Sequence, residues 1–384
     1  MFGASKSSEK VFAVADIGSG SAAVAIVALK SGAPAHIIAT SRVVLPFEDR
    51  TEAATMKGVV ASLADAAKKA LTQYQSTPYA KIPISGSYAI LRAPWTHSKT
   101  LRATSQLEKS VKVTDAMINK LAQQALVDDA SFDHDKLLEA SVIRVELNGY
   151  PTATPVGKVA SMISVAALVS EYASDIKDDI ISALHQITIG ATPVLRSGTH
   201  ALLSVTQELS DLADGYLILD MATEGTNMVS VREGLATEHA VIPEGVRSIL
   251  IRLGAKSLPE ETLGLLRMIE REESSTEAST ALKDAIARTE PDLARVFGEA
   301  MMKISAPRRL PNDMILVAHP DMAPWLLRFL GRIDFAQFTE TSQPFRVHIL
   351  DAKDVSTLVT SEDIDIVDTG LSIACGLVNR EATH

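Results

Sequence analysis

Two aspartates, Asp16 and Asp220, occur in the same local setting about half a chain apart. Each ends an apolar run. Val11-Phe12-Ala13-Val14-Ala15 leads to Asp16, and Tyr216-Leu217-Ile218-Leu219 leads to Asp220. Each is followed by a turn of small residues, Gly18-Ser19-Gly20-Ser21 in the first case and Met221-Ala222-Thr223-Glu224-Gly225-Thr226 in the second. Turns built from Gly, Ser and Thr present several backbone N–H groups and hydroxyls around one concave point, a nest that suits phosphate oxygens. A carboxylate at the end of the adjoining strand is placed to hold a magnesium ion against the same phosphates. Two such hairpins, one from each half of the chain, would pinch one nucleotide between them.

Two rival phosphate motifs fail on the residues. A dinucleotide fingerprint needs a third glycine and a helix directly after the glycines. Ala23 stands at the third position, and the run 22–29 stops at Lys30-Ser31-Gly32, which is strand length. The Walker pattern fails because no Gly-Lys-Ser or Gly-Lys-Thr occurs. A Gly/Ser turn also serves simply to join two strands. The recurrence of strand, Asp, small-residue turn and strand in both halves favours the paired phosphate reading.

The elements that must position these residues follow from pattern. Residues 11–17, 22–29 and 36–45 read as strands bounded by turn clusters. Residues 51–74 read as a helix with Val59, Leu63, Ala66, Ala67 and Ala70 on one face. From 81 to 171 the pattern changes to short strands (88–93, 138–147, 159–169) around one helix opened by Thr114, an α+β module set into the first lobe. A helix over 172–186, a strand over 189–195 and a helix over 204–212 lead to the second hairpin, 216–220 and 227–232. A strand over 235–243 precedes a helix over 244–253, and 258–304 is mostly helical, with a new helix expected to start at Pro291. The remainder reads as strand 314–318, helix 324–330, strand 364–367 and helix 371–379.

At these motifs the sequence resembles the bacterial actin-like family that contains the cell-division protein FtsA and the pilus-assembly protein PilM. The residues from Phe12 through Ser21 look like the family's first phosphate motif, and Leu219-Asp220 to Thr226-Asn227 sit where the second belongs. Leu147-Asn148-Gly149-Tyr150 with Pro155-Val156-Gly157 is similar to the loop of the FtsA insert. Ile242-Pro243-Glu244-Gly245 matches the turn before the next helix, and Ile315-Leu316-Val317-Ala318-His319-Pro320 takes the place of the adenosine motif. Ala374-Cys375-Gly376-Leu377-Val378-Asn379-Arg380 is similar to the closing helix and is particularly PilM-like. The resemblance implies an α/β, actin-like ATPase (ribonuclease H-like) two-lobed fold with an inserted α+β (SHS2-like) subdomain. Residues 1–80, 172–197 and 364–384 would form the first lobe, 81–171 the insert, and 198–363 the second lobe, with a helical part at 244–305. It implies ATP with Mg2+ bound at Asp16, Gly18, Ser19, Gly20, Ser21, Asp220, Gly225, Thr226, Gly245, Ala318 and His319, with Asp16 and Asp220 as metal ligands. It further implies a scaffold of cell division that recruits a tubulin-like division protein. The alternatives are a PilM-like component of type IV pilus assembly docking on an inner-membrane protein, and an active ATPase or kinase. Self-association is expected.

Three departures from the family pattern bear on this. The second turn usually reads Asp-X-Gly-Gly-Gly-Thr, whereas Ala222 and Thr223 replace two glycines and Glu224 puts a negative charge where phosphate should approach. Ala318-His319 replaces a Gly-Gly pair in the adenosine motif. ATP is therefore expected to bind weakly or without turnover. The closing residues Val378 to His384 lack the amphipathic helix with which FtsA proteins lie on the bilayer, so a partner would bring the chain to a membrane.

The chain has 384 residues, 46% apolar and 22% charged, which calls for a folded protein of two or more lobes. A net charge of −10 argues against nucleic acid, since phosphate contacts need a basic face. The single cysteine, Cys375, fits a reducing cytoplasm and reads as a buried thiol. No apolar run is long enough to span a bilayer. Asp133-His134-Asp135 reads as a solvated loop rather than a metal site, and Glu270 to Glu273 with Arg271 as a solvated helix end. Trp95 is the better candidate for a partner anchor, and Trp325 for ordinary packing.

Overall fold

A computed structural model describes residues 9–48, 50–129, 133–172, 176–188, 191–209, 215–254, 257–271, 277–361 and 368–383. The chain opens with β1 (Lys10–Ile17), β2 (Ser21–Leu29), β3 (Ala35–Val44), α1 (Glu52–Gln75) and β4 (Ile84–Leu91). An inserted unit follows, made of β5 (Thr96–Lys112), α2 (Asp115–Asp128), β6 (Leu137–Leu147), β7 (Tyr150–Pro151) and β8 (Val159–Tyr172). The chain returns through α3 (Ile176–Leu184), β9 (Val194–Ser197) and α4 (Gly198–Thr206). The second half comprises β10 (Gly215–Met221), β11 (Thr226–Arg232), β12 (Leu235–Ile242), α5 (Val246–Gly254), α6 (Pro259–Glu270), α7 (Glu277–Ser305), β13 (Asp313–Val317), α8 (Ala323–Leu330) and β14 (Arg346–Ile349). β15 (Val359–Ser361) and α9 (Thr369–Thr383) close it.

Among the described residues three sheets form, ordered β15-β3-β2-β1-β4-β9, β12-β11-β10-β13-β14 and β5-β8-β6-β7. The first two repeat one plan. A hairpin (β1–β2, β10–β11) carries the small-residue turn, and a parallel strand (β4, β13) runs beside its first member. α1 and α3 cover the outer face of the first sheet, and α5 to α8 cover the outer face of the second. α4 and α9 lie between the two sheets and share one core with both inner faces. A helix buried on all sides must be apolar all round, which the run Ala201, Leu202, Leu203, Val205 and the run Leu371, Ile373, Ala374, Leu377, Val378 satisfy. Cys375 is buried there as expected, its thiol pushed up by burial.

Several expectations change. Strand β4, counted above with the insert, belongs to the first-lobe sheet, and the inserted sheet begins with β5, a 17-residue strand with too few apolar positions to be read from pattern. α7 runs unbroken through Pro291, because Leu282 on one side and Leu293, Phe297, Met301 and Ile304 on the other pack into one core and hold the helix across the missing hydrogen bond. α4 starts at Gly198, capped by Ser197, six residues ahead of the expected start. Trp95 is 1% exposed within the first-lobe core and is no surface anchor, whereas Trp325 packs flat on Phe329 as expected. Glu270 pairs with Arg328 in place of solvent. The expected strand over 364–367 lies outside the described residues. Among the described residues no helix is long and apolar enough to cross a membrane.

Candidate functional site

Strand parity decides where the two aspartates point. Along β1, Val11, Ala13, Ala15 and Ile17 enter the outer core while Val14 enters the inner one, so Asp16 shares the inner face. Along β10, Leu217, Leu219 and Met221 face outward while Tyr216 and Ile218 face inward, so Asp220 is also inner. The two carboxylates thus approach one gap from opposite lobes, and both are only 2% exposed.

The same registers bring arginines to them. Asp16 pairs with Ala23 on β2, and Ala23 with Arg42 on β3, so the three lie in one row across the sheet on one face. Ala23 has nothing beyond its methyl, and Arg42 reaches over it. Its Nη2 donates to Asp16 Oδ2 at 2.7 Å, its Nη1 to Ser21 Oγ at 2.6 Å, and its Nε and Nη2 to the Asp368 carboxylate, each at 2.7 Å. Arg92 follows β4 directly, and its backbone N–H is fixed to Ile17 O at 2.9 Å beside Asp16. Its guanidinium crosses to the other lobe. Nη2 bonds Asp220 Oδ1, Nε lies 3.3 Å from Asp220 Oδ2, and Nη1 lies 4.0 Å from Asp16 Oδ2. Burial penalises both guanidinium charges, and the carboxylates more than offset it, so both arginines titrate above their ordinary value. Burial would raise Asp368 as well, but Arg42 and the Leu371 N–H hold it low. Gly370 sits over the cluster, where a Cβ would lie 2.3 Å from Asp16 Oδ2.

The two turns meet. Ser19, 1% exposed, accepts the Glu224 backbone N–H on its Oγ at 3.1 Å. A Cβ placed on Gly20 would fall 1.9 Å from Thr223 Oγ1. The rest of the first turn is also committed internally. Gly18 N donates to Ser21 O at 3.0 Å, and Gly20 O accepts from Leu45 N at 2.8 Å. In the second turn Ala222 N bonds Gly225 O, Thr226 Oγ1 bonds Glu244 O, and the start of α5 is tied back through Val246 N to Ala222 O and Arg247 N to Thr223 O. Gly245 is required because this backbone passes within 2.4 Å of where its Cβ would stand. Glu224 is held by Arg247 through bonds of 2.9, 3.1 and 2.9 Å. Ala318 and His319 follow β13 at the same sheet end, since Asp220 pairs with Val317. His319 Nδ1 accepts from Asp321 N at 3.3 Å in the loop before α8, and burial lowers its pKa.

The structure therefore gathers Asp16, Ser19, Gly20 and Ser21 against Asp220 and the second turn, and gathers Gly225, Thr226 and Gly245 behind it. The residues present do not fit magnesium with a triphosphate. The metal-type carboxylates hold guanidinium groups, and of the donors that would face phosphate Glu224 N bonds the opposite turn while Gly18 N and Ala222 N are spent inside their own turns. Arg42, Arg92 and Asp368 escape sequence reading. Arg42 follows Thr40 and Ser41 in a strand of mixed polarity, so nothing local sets it apart.

A second buried network joins the insert to the first lobe. Glu139 on β6, with its side chain 1% exposed, accepts from Ser197 N at 2.9 Å, Ser197 Oγ at 2.5 Å and Ser170 Oγ at 3.1 Å. Its other oxygen lies 2.8 Å from His200 Nδ1. Burial would raise the Glu139 pKa, and these bonds reverse the shift to below the usual carboxylate value. Asp133 caps an exposed 3-10 turn over His134–Lys136, its side chain accepting from Asp135 N.

No family model and no curated protein matches the sequence. Solved structures do. The chain is similar to the protein in a "PilM-PilN type IV pilus biogenesis complex", with 14% identity, 98% of this chain and 99% of that one covered, and a TM-score of 0.58. It also resembles the ethanolamine utilization protein EutJ from Carboxydothermus hydrogenoformans (9% identity, 96% and 89% covered, TM-score 0.45). A third likeness is to a ROK family glucokinase from Streptomyces griseus solved with glucose and AMPPNP (10%, 98% and 100%, 0.42). The fold is the two-lobed actin-like ATPase fold, with an α+β unit inserted in the first lobe.

Proposed function

We propose that this actin-like chain is a PilM-like assembly scaffold that docks on a membrane partner and whose cleft is filled by its own side chains. The observation that carries the scaffold reading is Arg92, which spans Asp16 and Asp220 where a metal–nucleotide would have to sit. An ATPase or kinase of this fold needs at least one carboxylate free to serve metal or substrate. Here Asp16 and Asp220 both hold arginine.

The partner class rests on the whole-length likeness to PilM, the protein solved together with PilN. By that reading the partner is a pilus-assembly membrane protein, this chain works on its cytoplasmic side, and the insert is SHS2-like. The division-protein reading rests only on the likeness of the 147–157 sequence to the loop of the FtsA insert, which in this chain is a hairpin turn between β6 and β7. That turn has Asn148 and Gly149 at positive φ, and Asn148 Oδ1 accepts from Ser161 N and Met162 N. The full chain, tagged and purified from gently solubilised cells of its own source, discriminates between them. Pilus-assembly membrane proteins are expected to co-purify. Recovery of a tubulin-like division protein without them would replace the pilus reading with the FtsA-like one. Magnesium-dependent ATP hydrolysis lost in Asp16→Ala would replace both with the enzyme reading.

A further inference from the structure

We infer that Arg92, backed by Arg42, is a built-in clamp that takes the place of a metal–nucleotide in holding the lobes together. It rests on the cleft geometry alone and stands apart from the identity of the partner. In an open two-lobed cleft, two facing carboxylates repel, and something positive must lie between them before the lobes can meet. Arg92 supplies that charge from a fixed base. Its N–H is bonded to Ile17 O, its carbonyl accepts from Trp95 N at 3.0 Å, and Trp95 is locked in the first-lobe core. Only the guanidinium leaves the first lobe, and it ends on a carboxylate of the second. A planar guanidinium suits this role because it offers donors in several directions at once and stays charged when buried.

Arg42 completes the device from the other side of Asp16, which it couples to Asp368 at the start of α9. That helix lies in the core common to both sheets, so the cluster ties three elements of the inner layer together. Among the described residues three carboxylates meet two guanidinium groups. Asp368 Oδ1 also accepts from Leu371 N at 2.9 Å in the first turn of α9, where the helix dipole favours a negative charge. Below the clamp the two turns touch through Ser19 and Glu224 N, and Thr223 fills the notch over Gly20.

Hydrogen exchange on the full chain, read over the two turns at 17–22 and 221–227 and over the sheet cores as internal reference, tests this. Wild-type exchange at both turns is expected to be the same with and without millimolar MgATP. Arg92→Ala is expected to speed exchange at both turns by at least about tenfold, because it leaves two buried carboxylates facing each other. Arg92→Lys is expected to fall between, since a point charge bridges less well than a fork. If Arg92→Ala does not fold, Asp220→Asn, which keeps the shape and removes the charge, carries the test in its place. Unchanged exchange at 221–227 in the folded variant would overturn the clamp. So would protection of the wild-type turns by MgATP. Loss of partner capture with this exchange pattern intact would sink the pilus reading and leave the clamp standing.

Discussion

Gly20 offers the sharpest test of the closed cleft. A Cβ added there would lie 1.9 Å from Thr223 Oγ1, 2.7 Å from Thr223 Cβ and 2.9 Å from Thr223 Cγ2. Non-bonded carbons sit comfortably at about 3.5–4.0 Å. Rotation about χ1 moves Oγ1 and Cγ2 but not the Thr223 Cβ, and the Thr223 carbonyl is pinned by Arg247 N at 3.0 Å. The clash therefore has to part the turns or distort one of them. Gly20→Ala is expected to destabilise the chain by about 1–3 kcal/mol, the range for overpacking a tight contact. Thr223→Ala in the same background removes two of the three overlaps and recovers part of the loss. Thr223→Gly removes all three and recovers most of it. The assay is equilibrium urea unfolding of the four members of the cycle, with the Gly20–Thr223 coupling expected at about 1 kcal/mol or more. Gly20→Ala within about 0.5 kcal/mol of wild type, or an equal cost with and without the Thr223 side chain, would refute direct contact between the turns.

Three further outcomes follow from the charges. Arg42→Ala should cost about 2–3 kcal/mol in urea unfolding, below the full price of a broken buried pair because Asp368 is partly exposed; a cost near zero would show that Asp16 needs no second arginine. Glu139→Gln should destabilise by about 1.5–3 kcal/mol at neutral pH by weakening charge-assisted bonds. Because Glu139 titrates below its ordinary value when folded, its contribution is present above the carboxylate range and fades as pH falls through the folded value, so the gap between wild type and Glu139→Gln should narrow on acidification below about pH 4.5. A gap that widens as the pH falls would reverse the assignment. Glu224→Gln should change stability by under about 1 kcal/mol, since the Arg247 pair is partly solvated, and should leave MgATP binding undetected in calorimetry; appearance of binding would make Glu224 the barrier in place of Arg92.

How much of this was legible in the sequence depends on what each residue's neighbours in the chain reveal. The paired hairpins were readable because strand, Asp, turn and strand are contiguous, and period-2 alternation then fixes the face of Asp16 and Asp220. The helix α1 was readable because Val59, Leu63, Ala66, Ala67 and Ala70 recur at helical spacing. Arg42 was not, because its relation to Asp16 runs across three strands and passes over Ala23, a pairing set by register. Arg92 fell inside the expected strand 88–93 with nothing to single it out, and its partner Asp220 lies 128 positions away. β5 was missed because its outward positions are polar along most of its length and few of its inward positions are buried. Glu139 appears in sequence as one polar residue of an alternating strand, and only the return of β9 and α4 against β6 turns it into an anchor. Pro291 misled because local propensity was weighed without the core that packs both halves of α7.

The same frame of two facing aspartates supports two kinds of protein, and the arginines decide between them. When a ligand fills the cleft, the stability of the closed form rises with ligand concentration and is lost when the ligand leaves. When a side chain of the same chain fills it, closure is independent of concentration, and what remains adjustable is the strength of the ion pairs. Arg92 and Arg42 are 17% and 25% exposed, so salt reaches their outer edges while Asp16 and Asp220 stay dry at 2%. Closure of this kind should weaken only slightly between low and physiological ionic strength, because screening acts mainly on exposed charge. A scaffold gains from that insensitivity, since the core that α4 and α9 share with both sheets keeps one arrangement whatever the nucleotide pool. Glu139 then carries the consequence outward. It fixes the insert to Ser197 and His200 at the start of α4, and α4 packs on α9, whose first turn rests on the clamp. Clamp, inner helices and insert thus form one connected set of contacts, polar at Asp16, Asp220 and Asp368 at one end and at Glu139 at the other, with the apolar packing of α4 on α9 between them.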